Sequence, residues 1–240
     1  MSTTCETYFL RNSENINNLE KDEINHIVTV RRHKAGDFIN LVNGKGLEIH
    51  CQIKSVSPFS LIEVSRIQEN QHSPEIVLVQ ALIKGKRFEQ AIENAVELGV
   101  DKIIPWQANR SIAKWSSNSS KKFGNLVITA SKQSRRSFFP SILDAQTTKQ
   151  LLVLLENDES KMIILLDENG LETLSISKNK ILERARKFDQ KIYVIIGPEG
   201  SISPEEINQF DEIGAKHYLL GSTILRSATA ATAALSLLLL

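Results

Sequence analysis

The apolar run Ile192-Tyr193-Val194-Ile195-Ile196 stops abruptly at Gly197-Pro198-Glu199-Gly200, and few folds accommodate that junction. A β-branched run of this kind specifies a buried strand. The Gly-Pro and Glu-Gly pairs break it. Just beyond, Ser203-Pro204-Glu205-Glu206 carries the marks of a helix start. Ser203 suits the N-cap, Pro204 the first helical position, and Glu206 completes a capping box. Ile207, Phe210 and Ile213 then recur on one face, and Gly214 is placed to end the helix. A glycine loop between the carboxyl end of a strand and a helix is where open α/β sheets bind ligands. Taken alone, the junction is equally an ordinary strand-to-helix turn.

A second junction follows. His217-Tyr218-Leu219-Leu220 has the character of a short strand, Gly221-Ser222-Thr223-Ile224-Leu225-Arg226 of a loop, and a last helix begins near Ser227 and runs through Ala234. Upstream the same alternation holds. Ile76 to Ile83 is a strand, and Phe88, Ala91, Ile92, Ala95 and Leu98 share a helical face closed by Gly99. Lys102 to Trp106 and Met162 to Asp167 are further strands, while Asn109 to Ser120 and Asp189 are loop-like. Strands alternating with helices argue for a mostly parallel sheet. No solenoid period is present.

The chain divides near Gln71 to Pro74, which gives domains at 1–72 and 73–240. The first is rich in short strands. Asp37 to Val42 leads into Asn43-Gly44-Lys45-Gly46, and Leu47 to Val56 returns, a strong hairpin signal. Ile49, Cys51 and Ile53 alternate with His50, Gln52 and Lys54, and Phe59 to Ile67 supplies another strand. A small β-barrel would close these strands without exposed edges.

Charge is balanced overall, at net +1, yet unevenly spread. Residues 76–140 hold 11 Lys/Arg against 4 Asp/Glu, whereas 1–75 hold 8 against 10 and 141–240 hold 10 against 14. The excess gathers at Lys84-Gly85-Lys86-Arg87, at Lys121-Lys122 and from Lys132 to Arg136. Such clustering suits a polyanion partner, and equally suits solvated helix faces. Cys5 and Cys51 form neither a metal spacing nor a disulfide framework, which points to a reducing cytoplasm and no metal. Met1 to Asn12 is polar and lacks the core of a signal peptide. The apolar tail Leu235 to Leu240 is too short to span a membrane. It is expected as a buried helix end whose small residues suit a dimer contact.

Both late junctions resemble the cofactor loops of the SPOUT (trefoil-knotted) methyltransferases, and their wording is closest to the RsmE family. In that family a GPEGG-FSPEE stretch is followed by LGPRILRTETA. The matches here are Gly197, Pro198, Glu199, Gly200, Ser203, Pro204, Glu205, Glu206, Leu220, Gly221, Ile224, Leu225, Arg226 and Thr229. His26, Val30 and Arg32 match a further family stretch in the first domain, and Gln133, Ser134 and Arg136 match its EQSGR element. The resemblance covers nearly the whole chain. It implies an α/β fold with a C-terminal SPOUT domain preceded by a small PUA-like RNA-binding barrel. It also implies methylation of N3 of a uridine in 16S ribosomal RNA of the small ribosomal subunit, by a homodimer using S-adenosylmethionine.

On that resemblance Leu166, Gly197, Pro198, Glu199, Gly200, Leu220, Gly221, Ile224 and Leu225 hold the donor, the glycines by admitting close backbone approach. Arg136 and Arg226 serve catalysis, Arg226 by stabilising the uracil anion. Arg31, Arg32, Lys86, Arg87, Lys132, Gln133 and Arg135 contact RNA. N3 methylation needs no cysteine nucleophile, and no Gly-x-Gly fingerprint follows an early strand, which disfavours a Rossmann-type enzyme. The chain departs from the family at several positions. Lys132 stands for Glu, Arg135 and Ser201 for Gly, Ser222-Thr223 for Pro-Arg, and Ala228 for Glu. Two alternatives stay open: a SPOUT enzyme acting on another RNA nucleoside, and a non-catalytic RNA-binding assembly protein.

Overall fold

The computed structural model describes residues 5–11 and 13–240. They form two compact units, one comprising the chain up to Gln71 together with Ile128–Phe139, the other His72–Val127 together with Pro140–Leu240.

The first unit contains β1 (Glu6–Phe9), α1 (Lys21–Asn25), β2 (Phe38–Val42), β3 (Leu47–Val56) and β4 (Phe59–Gln68). Its sheet runs β1-β2-β3-β4, parallel between β1 and β2 and antiparallel thereafter. The alternation of β3 buries Leu47, Ile49, Cys51 and Ile53. They meet Ile39 and Leu41 of β2, Tyr8 of β1, and Ile27 from the π-helical turn His26–Val30 that continues α1. Register shifts at His50/Cys51 and Ile53/Ser55 kink the β3–β4 pair. The hairpin loop lies where its sequence places it. Asn43 Oδ1 accepts the Lys45 and Leu47 N–H groups at 2.8 and 3.1 Å, and Gly44 and Gly46 take φ of 74° and 91°.

This loop does more than turn the chain. A Cβ on Gly46 would overlap the Phe138 ring and the Glu69 carbonyl. The Gly46 N–H donates to the Ser137 carbonyl at 3.0 Å, and the Phe139 N–H to the Gly44 carbonyl at 3.0 Å. The hairpin therefore grips residues 137–139, and Ile128–Phe139 groups with the first unit although it lies far beyond residue 72 in sequence.

The second unit begins with β5 (Ile76–Ala81), α2 (Lys86–Leu98) and β6 (Lys102–Gln107). Next come α3 (Ser119–Gln133), whose residues from Ile128 onward count with the first unit, β7 (Ser141–Ile142), β8 (Gln146–Thr147), α4 (Thr148–Glu156), β9 (Lys161–Leu166) and β10 (Glu172–Thr173). The chain closes with α5 (Leu174–Lys187), β11 (Lys191–Ile196), α6 (Pro204–Glu212), β12 (Lys216–Leu219) and α7 (Ser227–Leu239). The sheet order is β10-β12-β9-β11-β5-β6-β7, with β8 also on β6, and every pairing is parallel. A sheet covered on both faces needs apolar residues throughout its central strands, and all six residues of β5 are buried. On one face Val77, Val79, Trp106, Ile163 and Ile195 pack with Leu151 and Leu155 of α4 and Phe210 of α6. On the other, α7 packs against α2, α5, β5 and β11.

The α/β class, the parallel sheet and the preceding β domain are as expected. Helix α4 opens on a capping box of Thr147 and Gln150, a local signal of the same kind as that of α6. Helices α3 and α5 show no such pattern in sequence, and the basic run Lys132 to Arg136 is helical as far as Gln133. The apolar tail is largely covered within its own chain. Ala231, Ala234, Leu235 and Leu238 of α7 are buried, each leucine contributing about 1.5–3 kcal/mol. Among the described residues no helix is long and apolar enough to cross a membrane.

Candidate functional site

Leu166 pairs in register with Ile196 on one side and Tyr218 on the other. Because β9, β11 and β12 are parallel, their carboxyl ends are neighbours, and the loops that follow them leave the sheet at one place. This brings Leu166, the 197–200 loop and the 220–226 loop together. Within that cluster Leu166, Leu220 and Leu225 are half-buried, Pro198 is buried, and Glu199 is exposed. Ile224 is 85% exposed.

The three loop glycines have different reasons to be glycine. A Cβ on Gly197 would lie 2.6 Å from Ile202 Cγ1, so that position is set by packing inside the loop. One on Gly200 would come to 3.3 Å from Arg110 Cβ. At Gly221 a Cβ meets no atom of the described residues within 4 Å. Protein thus occupies the Cβ direction at Gly197 and Gly200, while the space beside Gly221 is open.

A buried carboxylate organises the first loop. Glu206 is fully buried. Its Oε2 accepts the Ser203 N–H and O–H at 3.1 and 2.8 Å, completing the capping box of α6. Its Oε1 accepts the Asn109 N–H at 2.8 Å and the Thr148 hydroxyl at 2.7 Å, and that hydroxyl accepts Trp106 Nε1–H at 3.1 Å. Four donors replace the water that a buried carboxylate loses. Arg110 adds a bond from Nη1 to the Gly200 carbonyl at 3.1 Å. The loop after β6 is thus tied to the loop after β11. In sequence Glu206 is marked only as a cap, and the loop that holds Asn109 and Arg110 carries no local pattern.

Arg226 is the exposed N-cap of α7 and makes no ion pair among the described residues. Its guanidinium and the positive end of a 13-residue helix both favour negative charge nearby. At the end of β9, Asp167 accepts His217 Nδ1 at 2.7 Å, while Asp211 of α6 takes Nε2 at 2.6 Å. Burial acts to lower the His217 pKa, but hydrogen bonds and charge from the two carboxylates outweigh it and raise the value. Among the described residues no group of three or more His, Cys, Asp or Glu could hold a metal ion.

The remaining basic candidates fall in two places. Lys86 and Arg87 are exposed at the start of α2 in the second unit. Arg31, Arg32, Lys132, Gln133, Arg135 and Arg136 belong to the first. Two of these are already engaged there. Arg31 Nε pairs with Glu6 at 3.2 Å. Lys132 Nζ contacts both Glu23 oxygens, at 2.7 and 3.0 Å, with side chains only 18% and 14% exposed. Arg32, Gln133 and Arg135 are exposed, and Arg136 is half-buried.

The site can be set beside known proteins. A family model described as an RNA methyltransferase domain matches residues 70–239, and one described as an RNA methyltransferase PUA domain matches residues 19–62. Ribosomal RNA small subunit methyltransferase E of Bacillus subtilis is 30% identical over 222 residues, covering 90% of this chain and 86% of that protein. The protein of the same name from Mycobacterium tuberculosis is 30% identical over 225 residues, covering 90% and 83%. Among solved structures, a methyltransferase of Legionella pneumophila in complex with its bound cofactor SAM is 27% identical. It has a TM-score of 0.76 and coverage of 92% of this chain and 89% of that one. Ribosomal RNA small subunit methyltransferase E of Neisseria gonorrhoeae, bound to S-adenosyl methionine, shares the fold at a TM-score of 0.81 and 22% identity, covering 96% and 95%.

Proposed function

The chain belongs to the ribosomal RNA small subunit methyltransferase E family, and on that premise we propose that it methylates N3 of a uridine in 16S ribosomal RNA, using S-adenosylmethionine. The observation that carries this reading is the meeting of three parallel strand ends at a loop whose Gly221 faces open space. A ligand lying against that backbone would also cover the apolar face of Ile224 and rest near half-buried Leu166, Leu220 and Leu225. These residues fit the donor. When bound, S-adenosylmethionine supplies a methyl group whose bond to sulfur breaks as a bond to N3 forms.

The chain's own contribution is placement and charge. Rigid loops hold the reacting atoms in line. Arg226, with the α7 N-terminus behind it, offsets the negative charge that uracil carries once its N3 proton departs. Arg136 and the exposed Arg32, Gln133 and Arg135 serve the RNA side from the first unit, with Lys86 and Arg87 on the second. Lys132 acts through its pair with Glu23, which holds the end of α3 in the first unit. The natural target is the RNA within the small subunit, in the reducing cytoplasm that the cysteine spacing implies. We read the working form as a homodimer. Support comes from the half-buried stripe Ala230, Ala233 and Leu237 on α7, continued by Leu240 just past the helix, which is 85% exposed.

The test is to incubate labelled S-adenosylmethionine with small subunits lacking the modification and to digest their RNA to nucleosides. Label is expected in N3-methyluridine. Label in another nucleoside would move the chain to a different RNA target, and donor binding without any transfer would make it a binding protein.

A further inference from the structure

We propose that Ser227 is a positioning residue that couples the two loops of the donor site, an inference resting on the reading of those loops as the S-adenosylmethionine site. Ser227 opens α7 directly after Arg226 and is buried. Its hydroxyl donates to the Gly197 carbonyl at 2.6 Å, the first residue of the other loop. Among the described residues no other hydrogen bond joins residues 197–203 to residues 220–227.

The direction of that hydroxyl is set by Gln80 on β5. Gln80 Nε2 donates to Ser227 Oγ at 2.8 Å and to the Ala81 carbonyl at 3.0 Å. The amide cannot be reversed, because its oxygen would then face the Ala81 carbonyl, acceptor against acceptor. With Gln80 supplying donors only, the single hydroxyl hydrogen of Ser227 must point away, and the Gly197 carbonyl receives it.

The arrangement has a cost. Gln80 is fully buried and its Oε1 has no hydrogen-bond partner among the described residues. A buried, unmatched amide oxygen is unfavourable, and an apolar side chain of similar size would avoid it. Packing alone therefore does not account for a glutamine here. What the glutamine secures is a fixed orientation of Ser227, and through it one separation between the 197–200 and 220–226 loops. A donor held between both loops needs that separation before it binds, since loops that must be ordered on binding weaken affinity.

The test compares Ser227→Ala, Ser227→Thr and Gly221→Val with the parent protein. Calorimetry with S-adenosylhomocysteine gives affinity, and methylation at varied donor concentration separates KM from kcat. Ser227→Ala should bind about tenfold more weakly, the scale of one lost orienting hydrogen bond. Its kcat at saturating donor should be retained, since bound donor restores the loop spacing. A merely structural role would instead reduce the active fraction, and so kcat, at unchanged affinity. Ser227→Thr keeps the hydroxyl, as the related family does at this position, and should restore affinity. If Ser227→Ala does not fold, Gln80→Met probes the same link by removing the orienting amide, and should also raise the donor KM. Parent-like affinity in Ser227→Ala (or in Gln80→Met where it stands in), or a loss in Ser227→Thr equal to that in Ser227→Ala, would overturn the proposal. Gly221→Val separates the two readings. If it abolishes binding while Ser227→Ala has no effect, the coupling falls and the site stands. If it too binds normally, the site falls as well.

Discussion

Ser201 and Arg135 take φ of 61° and 57°, in the left-handed region that favours glycine. Both stand where the related family carries glycine. Neighbouring bonds hold the backbone in this conformation. Ser201 N–H donates to the Pro198 carbonyl at 3.0 Å, and Arg135 N–H to that of Lys132 at 3.2 Å. A side chain in this region costs about 1–2 kcal/mol. Glycine relieves that strain but loses about 0.4–1 kcal/mol through the entropy of the unfolded chain. Ser201→Gly is therefore expected to raise stability by about 0.5–1 kcal/mol in urea denaturation. A loss of stability would mean that the serine side chain makes up for its backbone. The charge change at Lys132 has its own explanation, for the lysine meets Glu23 across a nearly closed ion pair.

His217 shows how elements are joined. It lies on β12 and bridges Asp167, just past β9, to Asp211 on α6. Both ring nitrogens can donate only when the imidazole is charged. The folded pKa is raised above the ordinary 6.5, burial being outweighed by the two carboxylate partners. With a raised folded pKa, the stabilisation is complete below the unfolded value and fades as pH climbs through the folded one. Stability should thus fall as pH climbs above the ordinary histidine value and through the raised folded one, by an increment that His217→Gln removes. Denaturation midpoints across that range test it. An undiminished slope in the variant would assign the effect to other groups.

At the scale of the whole molecule, burial of the α7 leucines within the chain changes the argument for a dimer. The tail no longer requires a partner simply to leave water. What remains is a partly open stripe ending in exposed Leu240. Light scattering at micromolar concentration should give about twice the 26.9 kDa of one chain, and Leu237→Glu should lower that mass. A mass of one chain for the parent protein would remove the dimer from the functional reading. The basic excess of the middle third is likewise redistributed by folding. Lys132 and Lys122 are spent on Glu23 and Glu89, and the cations left exposed are divided between the two units.

Local chemistry in the sequence determined the elements that carry strong short-range signals. The strand ending at Ile196, the capping box of α6, the Asn43–Gly46 hairpin and the alternation of β3 all follow from neighbours within a few residues, so they can be read without a fold. Motif resemblance pointed to the loops proposed as the site. Tertiary structure alone decided the rest. Glu206 became a hub because Asn109 and Thr148 arrive from 97 and 58 residues away. Gln80 orients Ser227 across 147 residues. Gly197 and Gly221 look alike in sequence, yet one faces Ile202 and the other open space. Residues 128–139 join the first unit because a hairpin far upstream binds their backbone. Such outcomes depend on which groups meet once long loops have closed, and no local pattern encodes those meetings.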